Sequence, residues 1–154
     1  MPLLTNQAYA DFIQAYGEAG LKARDADELK QLAQLYWYTV EFGLIATGDG
    51  MRIFGAGIAS SPGETLFALE SASPHRIALD QGRVMRTDYR IDDYQESYFV
   101  IEAFDKMPPL DGASLRRVRK AIAGQRMLAP AEMEPGDRVI ATGDGAYHRA
   151  KRAA

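Results

Sequence analysis

Residues 35–44 read LYWYTVEFGL, and this stretch decides how the rest of the chain is interpreted. It closes a helical pattern that starts near Ala26 and reaches Phe42. Glu41 stands at the end of this otherwise apolar helix, where a buried carboxylate is costly unless it is paired or binds a metal. Periodicity alone favours a simpler interpretation, a surface glutamate at the helix C-terminus. The apolar stripe of the helix comprises Leu29, Leu32, Ala33, Tyr36 and Val40.

A second amphipathic pattern precedes this helix. It predicts a helix from about Asn6, its N-cap, to Tyr16. Either Asp25 or Asp27 can cap the longer helix that follows, since both carboxylates stand at its start. The N-terminal part of the chain is therefore expected to be a pair of helices.

The residues after the quoted stretch change character. IATGDG at 45–50 predicts a tight turn and 52–54 a short strand. Ser61 as N-cap, with Pro62 at N1 and Glu64 at N3, predicts a capping box that opens a third helix. IATGDG recurs at 140–145, and two copies indicate reuse of turn chemistry rather than a repeat architecture.

The second half of the sequence carries shorter signals. Strands are expected at 77–79, 89–91 and 98–101, with a helical turn at 83–85. Ser114 to Gly124 predicts a basic amphipathic helix, whose charged side is either a solvated face or, less simply, a partner-binding patch.

Composition excludes several classes of protein. The 154 residues include no Cys and two His, which excludes disulfide scaffolds and thiolate metal sites. Lys plus Arg is 18 and Asp plus Glu is 21, a net charge of −3 that argues against nucleic acid as the main partner. No apolar run approaches the ~20 residues of a membrane span, and the N-terminus lacks signal-peptide features. We therefore expect a cytoplasmic protein that does not bind membranes.

Several uncommon blocks together point to a family. LYWYTVEFGL resembles the segment of the tetrahydrobiopterin-dependent aromatic amino acid hydroxylases that carries the glutamate ligand of their iron. The blocks at 12–22, 54–64 and 85–101 are similar to further segments of the family, in the same order. The resemblance covers roughly residues 1–107 and is strongest to the short bacterial members.

The resemblance implies a fold and a reaction. The fold is expected to be mainly α with short β-strands, the C-terminal part of the hydroxylase catalytic fold. Residues 1–107 would be a partial catalytic domain, and 108–154 a C-terminal extension with one amphipathic helix and a basic tail. The implied reaction hydroxylates L-phenylalanine to L-tyrosine with O₂, tetrahydrobiopterin and non-haem Fe(II), in a monomer; tyrosine or tryptophan stays open as the substrate.

Site residues follow from the resemblance position by position. Glu41 matches the carboxylate ligand of an iron that two histidines also hold. The family positions that line the amino acid pocket match Trp37, Phe42, Gly57, Ser60 and Ser61, and the positions near the pterin match Ala33 and Tyr36. Some of these residues have a simpler interpretation. Ser61 could act only as a helix cap, and Trp37 and Ala33 could be plain core residues. Glu64, which also matches a family position, is first a capping residue.

The histidine ligands of the family are not in this sequence. They belong to a His-Asp-x-x-Gly-His motif, which Val-Pro-Leu-Leu follows, and this chain reads MPLL at 1–4. Neither His75 nor His148 is expected to replace them. The chain as written is therefore expected to be inactive, an N-terminally truncated hydroxylase. The alternative is a non-catalytic remnant that binds an aromatic amino acid or a pterin.

Overall fold

The computed structural model describes residues 5–154, and it begins with the expected pair of helices. Helix α1 spans Gln7–Lys22, and the Asn6 side chain accepts from the backbone N–H of Tyr9. The predicted end at Tyr16 is wrong, because the helix continues and buries Ala19 against the core. Helix α2 spans Ala26–Tyr36, and Asp25 is its N-cap. The choice between Asp25 and Asp27 is thereby settled.

Helix α2 does not end where its α-helical part ends. It continues as a π-helical turn over Trp37–Glu41. The predicted continuous helix is confirmed as far as Glu41, with Phe42 as its C-cap, but its last turn is wider than an α-helical one. This π-turn carries the residues on which the family resemblance rests.

A mixed sheet lies behind the helices. Within residues 5–154 it has five strands in the order β2-β1-β4-β3-β5. Its three central strands run parallel, and both edge pairs are antiparallel. The strands are β1 (Leu44–Thr47), β2 (Gly50–Ile53), β3 (His75–Ala78), β4 (Ser97–Ile101) and β5 (Val139–Ala141).

Strand β1 uses residues that the sequence assigned to a turn. Ile45, Ala46 and Thr47 pair with β2, and Thr47 faces Gly50 in the register. Only two residues are left for the hairpin loop, and Gly50 has φ of 109°, which suits glycine. In the first IATGDG, four residues therefore belong to strands and only Gly48 and Asp49 form the turn.

One predicted strand is wrong. Residues 89–91 are irregular, because a side chain occupies the backbone groups that a strand would pair. Gln95 accepts from the Arg90 N–H at 3.3 Å and donates its amide to the Arg90 carbonyl at 2.6 Å. This loop brings Tyr89 against Trp37 and Tyr38 of the π-turn.

The remaining helices connect and cover the sheet. Helix α6 begins two residues earlier than predicted, behind Asp111 as its N-cap. The segment 108–154 was expected to hold one helix, and it holds two. The helices are α3 (Ala56–Ala59), α4 (Pro62–Glu70), α5 (Gln81–Met85), α6 (Gly112–Ile122) and α7 (Ala146–Ala153).

The second IATGDG explains the unexpected helix. Its first residues lie in β5, and Gly145, with φ of 68°, starts α7. Because β5 pairs with β3, the segment 108–154 shares the sheet of the preceding residues. The division at residue 107 stays a prediction.

The main core lies between the helices and the sheet. Leu35, Tyr38, Met85 and Phe99 are completely buried there. In the part of the chain that the structure describes, no helix has the length and apolar character needed to cross a membrane. The predicted class, mainly α with short β-strands, is confirmed.

Candidate active site

The π-turn determines which side chains meet. Its Phe42 N–H donates to the Trp37 carbonyl at 2.8 Å, five residues back. The Thr39 hydroxyl donates to the Leu35 carbonyl at 2.6 Å, which occupies an acceptor of the preceding turn. Such turns occur frequently at functional sites. Here the wider turn puts Trp37 and Phe42 on one side of the helix.

An aromatic wall forms around Trp37. Its indole stacks on Phe42, with ring centroids 4.6 Å apart, and on Tyr89, at 4.2 Å. The indole Nε1 donates to Gln95 Oε1 at 3.1 Å. The sequence did not predict that Tyr89 and Gln95 belong to this site. It predicted a strand at 89–91, whereas the residues form the loop that brings both side chains to Trp37. No sequence pattern in that stretch signals this loop.

Two glycines let α3 approach the π-turn. A Cβ on Gly57 would lie 2.9 Å from the Glu41 carbonyl oxygen and 2.9 Å from the Phe42 ring. A Cβ on Gly55 would lie 2.4 Å from the same carbonyl oxygen. Any larger residue would push α3 away from the wall. Ser60 follows at the end of α3, and its hydroxyl donates to the Gly57 carbonyl at 3.0 Å.

Glu41 lies among tyrosines rather than cations. Burial, followed by the charge of Glu41 and a hydrogen bond with it, raises the pKa of Tyr36. Burial first, then Tyr36 and Glu41, also raises the pKa of Tyr9. Among residues 5–154, no Lys, Arg or His forms an ion pair with Glu41. Glu41 is half-buried, and in the described part of the chain its neighbours are tyrosines and not cations.

The two residues matched to the pterin side lie on the same helix. The Ala33 carbonyl accepts from the Trp37 N–H, and its side chain is half-buried. Tyr36 is half-buried as well, and its ring contacts that of Tyr16 at 4.9 Å between centroids. The structure thus brings Tyr36, Trp37, Glu41 and Gly57 together around the π-turn.

The capping box at α4 is half right. Ser61 Oγ accepts from the Glu64 N–H at 3.3 Å, so the cap is confirmed. The Glu64 carboxylate does not return the bond. It accepts instead from the Gln95 N–H at 3.1 Å and the Tyr98 hydroxyl at 2.8 Å. Burial raises the pKa of Glu64 against the lowering effect of these two donors.

Histidines do not join Glu41. His75 Nδ1 accepts from the Gly143 N–H at 2.8 Å, and its other ring nitrogen lies 3.2 Å from the Ala131 carbonyl. His148 is buried, with a ring nitrogen 2.8 Å from the Tyr94 carbonyl. Within residues 5–154, no group of three or more His, Asp or Glu side chains could hold a metal ion. Glu41 fits one position of a three-ligand site, and other ligands would have to come from outside these residues.

Comparison with known proteins agrees with this geometry. Residues 1–119 match the family model of the biopterin-dependent aromatic amino acid hydroxylases. The chain belongs to this family. The match extends beyond the 1–107 that the sequence blocks cover.

Curated relatives in the family show how much of a hydroxylase is present. The chain is 47% identical to the phenylalanine-4-hydroxylase of Caulobacter vibrioides over 147 residues, which cover 96% of this chain and 50% of that protein. It is also 47% identical to the Ralstonia nicotianae phenylalanine-4-hydroxylase, covering 93% and 46%. An alignment of 147 residues is longer than 107, so the similarity includes most of 108–154. The chain spans about half the length of these relatives.

Solved structures of the family share the fold. The iron- and phenylalanine-bound phenylalanine hydroxylase of Chromobacterium violaceum has a TM-score of 0.84 and 45% identity, covering 90% of this chain and 52% of that one. The structure of that enzyme with iron(III) and 7,8-dihydrobiopterin has a TM-score of 0.82 and 46% identity, with coverages of 90% and 50%.

Proposed function

We propose that this chain forms the glutamate-bearing side of the active site of a phenylalanine 4-monooxygenase. The enzyme would convert L-phenylalanine and O₂ to L-tyrosine with tetrahydrobiopterin and non-haem Fe(II). The observation that carries the proposal is the placement of Glu41, which forms no ion pair among residues 5–154, beside the stacked wall of Trp37 and Phe42. Close relatives bearing that activity in their names support it.

Glu41 would hold the iron through its carboxylate. When bound, the iron and the pterin supply the activation of O₂. The position suits a ligand, since Glu41 ends the π-turn and its carbonyl group lies so close to Gly55 and Gly57 that neither has space for a side chain. The half-buried surroundings, in which tyrosines replace cations, keep the carboxylate available for a metal.

The aromatic wall would bind and orient the substrate ring. Trp37 is stacked between Phe42 and Tyr89, so it would meet the substrate ring with the edge of its indole, and Gly57 lets α3 lie directly against Phe42 at the border of the pocket. Ser60 and Ser61 would provide hydroxyls for the polar end of the amino acid. Ser61 can do so while it caps α4, because capping uses its oxygen as an acceptor and leaves its proton free to donate.

Ala33 and Tyr36 would border the pterin. Both are half-buried one turn from Glu41 or Trp37, which places a cofactor against the same helix as the metal ligand. Phenylalanine is the favoured substrate over tyrosine and tryptophan, because the relatives named above are phenylalanine hydroxylases. A monomeric, cytoplasmic enzyme is part of the proposal, and light scattering of the purified protein tests the first of these points.

The test compares residues 1–154 with a longer protein that also supplies the two histidine ligands. We expect the longer protein to bind iron and to form tyrosine from phenylalanine. Glu41→Gln in it should lose both iron and turnover, whereas the control Glu102→Gln, at a side chain 71% exposed, should keep both. Iron and turnover retained by Glu41→Gln would contradict the proposal.

Assays on residues 1–154 alone test the alternative function, a non-catalytic binding protein. The prediction that this chain neither holds iron nor turns over phenylalanine remains open to the same assays. Tight phenylalanine or pterin binding by this chain in calorimetry, without iron and without turnover in the longer protein, would favour a non-catalytic binding protein. One observation favours that alternative, since the aromatic wall is assembled within residues 5–154 whereas a metal cluster is not.

A further inference from the structure

A line of hydrogen bonds connects the start of α4 to the aromatic wall. Ser61 caps Glu64, the Glu64 carboxylate accepts from the Gln95 N–H, and the Gln95 side chain accepts from the Trp37 indole. The line begins at one residue matched to the amino acid pocket and ends at another. The two residues between them, Glu64 and Gln95, are both buried.

Gln95 is held in one orientation. Its Oε1 accepts from the Trp37 indole at 3.1 Å and from the Arg90 N–H at 3.3 Å, while its Nε2 donates to the Arg90 carbonyl at 2.6 Å. Turning the amide over would place an NH₂ group against two N–H donors and the oxygen against a carbonyl. The side chain is 1% exposed, so water does not provide replacement partners.

Glu64 holds Gln95 from behind. Its Oε1 accepts from both the Gln95 N–H and the Tyr98 hydroxyl, and the residue is 6% exposed. Strand β4 begins at Ser97 and contains Tyr98, so this carboxylate ties the loop that carries Gln95 to the sheet. Hydrogen bonds to a carboxylate are stronger than those between neutral groups, so the two bonds to Glu64 hold this loop in place.

Stacking alone does not fix the indole. Trp37 lies between Phe42 and Tyr89, and flat stacked rings can slide over one another at little cost. The bond from its Nε1 sets where the ring stops in that plane. From these contacts we propose that Gln95 and Glu64 are positioning residues that hold Trp37 in place as the wall against which the substrate ring binds. The substrate part of this inference rests on the proposed function.

The first experiment observes Trp37 directly, because it is the single tryptophan of the chain. In residues 1–154, Gln95→Met removes the acceptor at similar size. In this variant we expect the fluorescence emission of Trp37 to shift to the red, and acrylamide to quench that fluorescence more strongly than in the parent chain. Gln14→Met, at an exposed position of α1, is the matched control and should leave both unchanged. Far-UV circular dichroism of each variant checks that it folds.

A pair of variants at Glu64 keeps the test independent of one substitution. Glu64→Gln retains an oxygen that can accept from Gln95 and Tyr98, and it should leave the Trp37 emission as in the parent chain. Glu64→Met removes the acceptor and should shift the emission in the same direction as Gln95→Met. Folded variants of both residues with unchanged emission and quenching would overturn the inference, whatever the function of the protein.

The second experiment concerns the substrate. In the longer protein that turns over phenylalanine, Gln95→Met should raise KM by up to about tenfold, the factor that one ordinary hydrogen bond supports, with a smaller change in kcat. A displaced Trp37 with an unchanged KM would overturn the substrate role. If the longer parent protein itself fails to hydroxylate phenylalanine, the proposed function fails and the fluorescence result still decides whether Trp37 is positioned by these residues.

Discussion

Two regions of the molecule treat buried charge in opposite ways. Beside α5, the Arg83 guanidinium binds Asp137 through Nε at 2.8 Å, and the two side chains are 5% and 3% exposed. Around the π-turn, the half-buried Glu41 and the buried Glu64 of α4 have no cation in an ion pair with them among residues 5–154. We call the first the ionic region and the second the wall region.

The difference separates stability from function. In the ionic region every charge has its partner inside the chain, and Arg83 also donates to Thr87 and to the Glu132 carbonyl. Such a set joins α5 to the segment that leads into β5. In the wall region the carboxylates accept from hydroxyl and amide donors, and no ion pair balances their charge in the part of the chain that the structure describes. A carboxylate without a cation partner in the fold can serve as a ligand for a metal ion.

The largest effect is expected from breaking the ionic region. Arg83→Leu leaves Asp137 as a buried carboxylate without its cation, which should lower the free energy of unfolding by about 3–5 kcal/mol. Urea denaturation followed by circular dichroism measures this. Removing both charges with Arg83→Leu and Asp137→Leu should cost less than the single change, since no lone charge remains. If Arg83→Leu is as stable as the parent, Arg83 and Asp137 do not form the buried ion pair described above.

A smaller loss is expected from crowding the wall region. Gly57→Ala places a methyl group 2.9 Å from both the Glu41 carbonyl oxygen and the Phe42 ring, so α3 must shift. Overpacking of this kind should cost about 1–3 kcal/mol and weaken phenylalanine binding in the longer protein. Gly17→Ala, where the added methyl group meets no atom within 4 Å, is the control and should be neutral or stabilising. Equal effects of the two substitutions would contradict the close approach of α3.

How far the sequence predicted these regions depends on how local their causes are. Caps and helices follow from neighbouring residues, and Asn6, Asp25 and Ser61 all cap as their sequence contexts indicate. The pocket matches rest on whole blocks at matching spacing. The strand at 89–91 failed because Gln95, a buried residue outside the alternating pattern, takes over the Arg90 backbone groups.

Contacts between residues far apart in the sequence could not be predicted from local patterns either. IATGDG is part of a hairpin in one copy and leads from β5 into α7 in the other, so its structure depends on which strand it meets. The capping box named the right residue at Glu64, but its carboxylate turned to Gln95 and Tyr98, over 30 residues away. Local signals could not weigh a donor that only folding brings near.

The pH dependence of stability should differ in sign between the two regions. Burial would raise the pKa of Asp137, but the bonds from Arg83 and the Glu134 N–H outweigh it and hold the pKa below the usual 3.8. Its contribution is complete above that value and is lost as the pH falls further. Burial raises the pKa of Glu64 above the usual 4.5, so its contribution is present below that value and is lost as the pH rises through the folded pKa.

Glu64→Gln tests this sign. The amide keeps an acceptor and carries no charge, so the variant should gain stability relative to the parent between pH 4.5 and 7, by about 1.4 kcal/mol for each unit by which the pKa was raised. Urea midpoints at several pH values measure the gain. If Glu64→Gln instead becomes less stable relative to the parent between pH 4.5 and 7, the charge of Glu64 is compensated in the fold.

The smallest change in stability is expected at Glu41. Because no ion pair holds it among residues 5–154, Glu41→Gln should alter the free energy of unfolding of this chain by no more than about 0.5 kcal/mol. Thermal denaturation alongside Arg83→Leu measures both regions in one experiment. A large loss at Glu41 would assign it a structural charge like that of Asp137. A change this small, together with loss of iron in the longer protein, would leave metal binding as the reason for a carboxylate at this position.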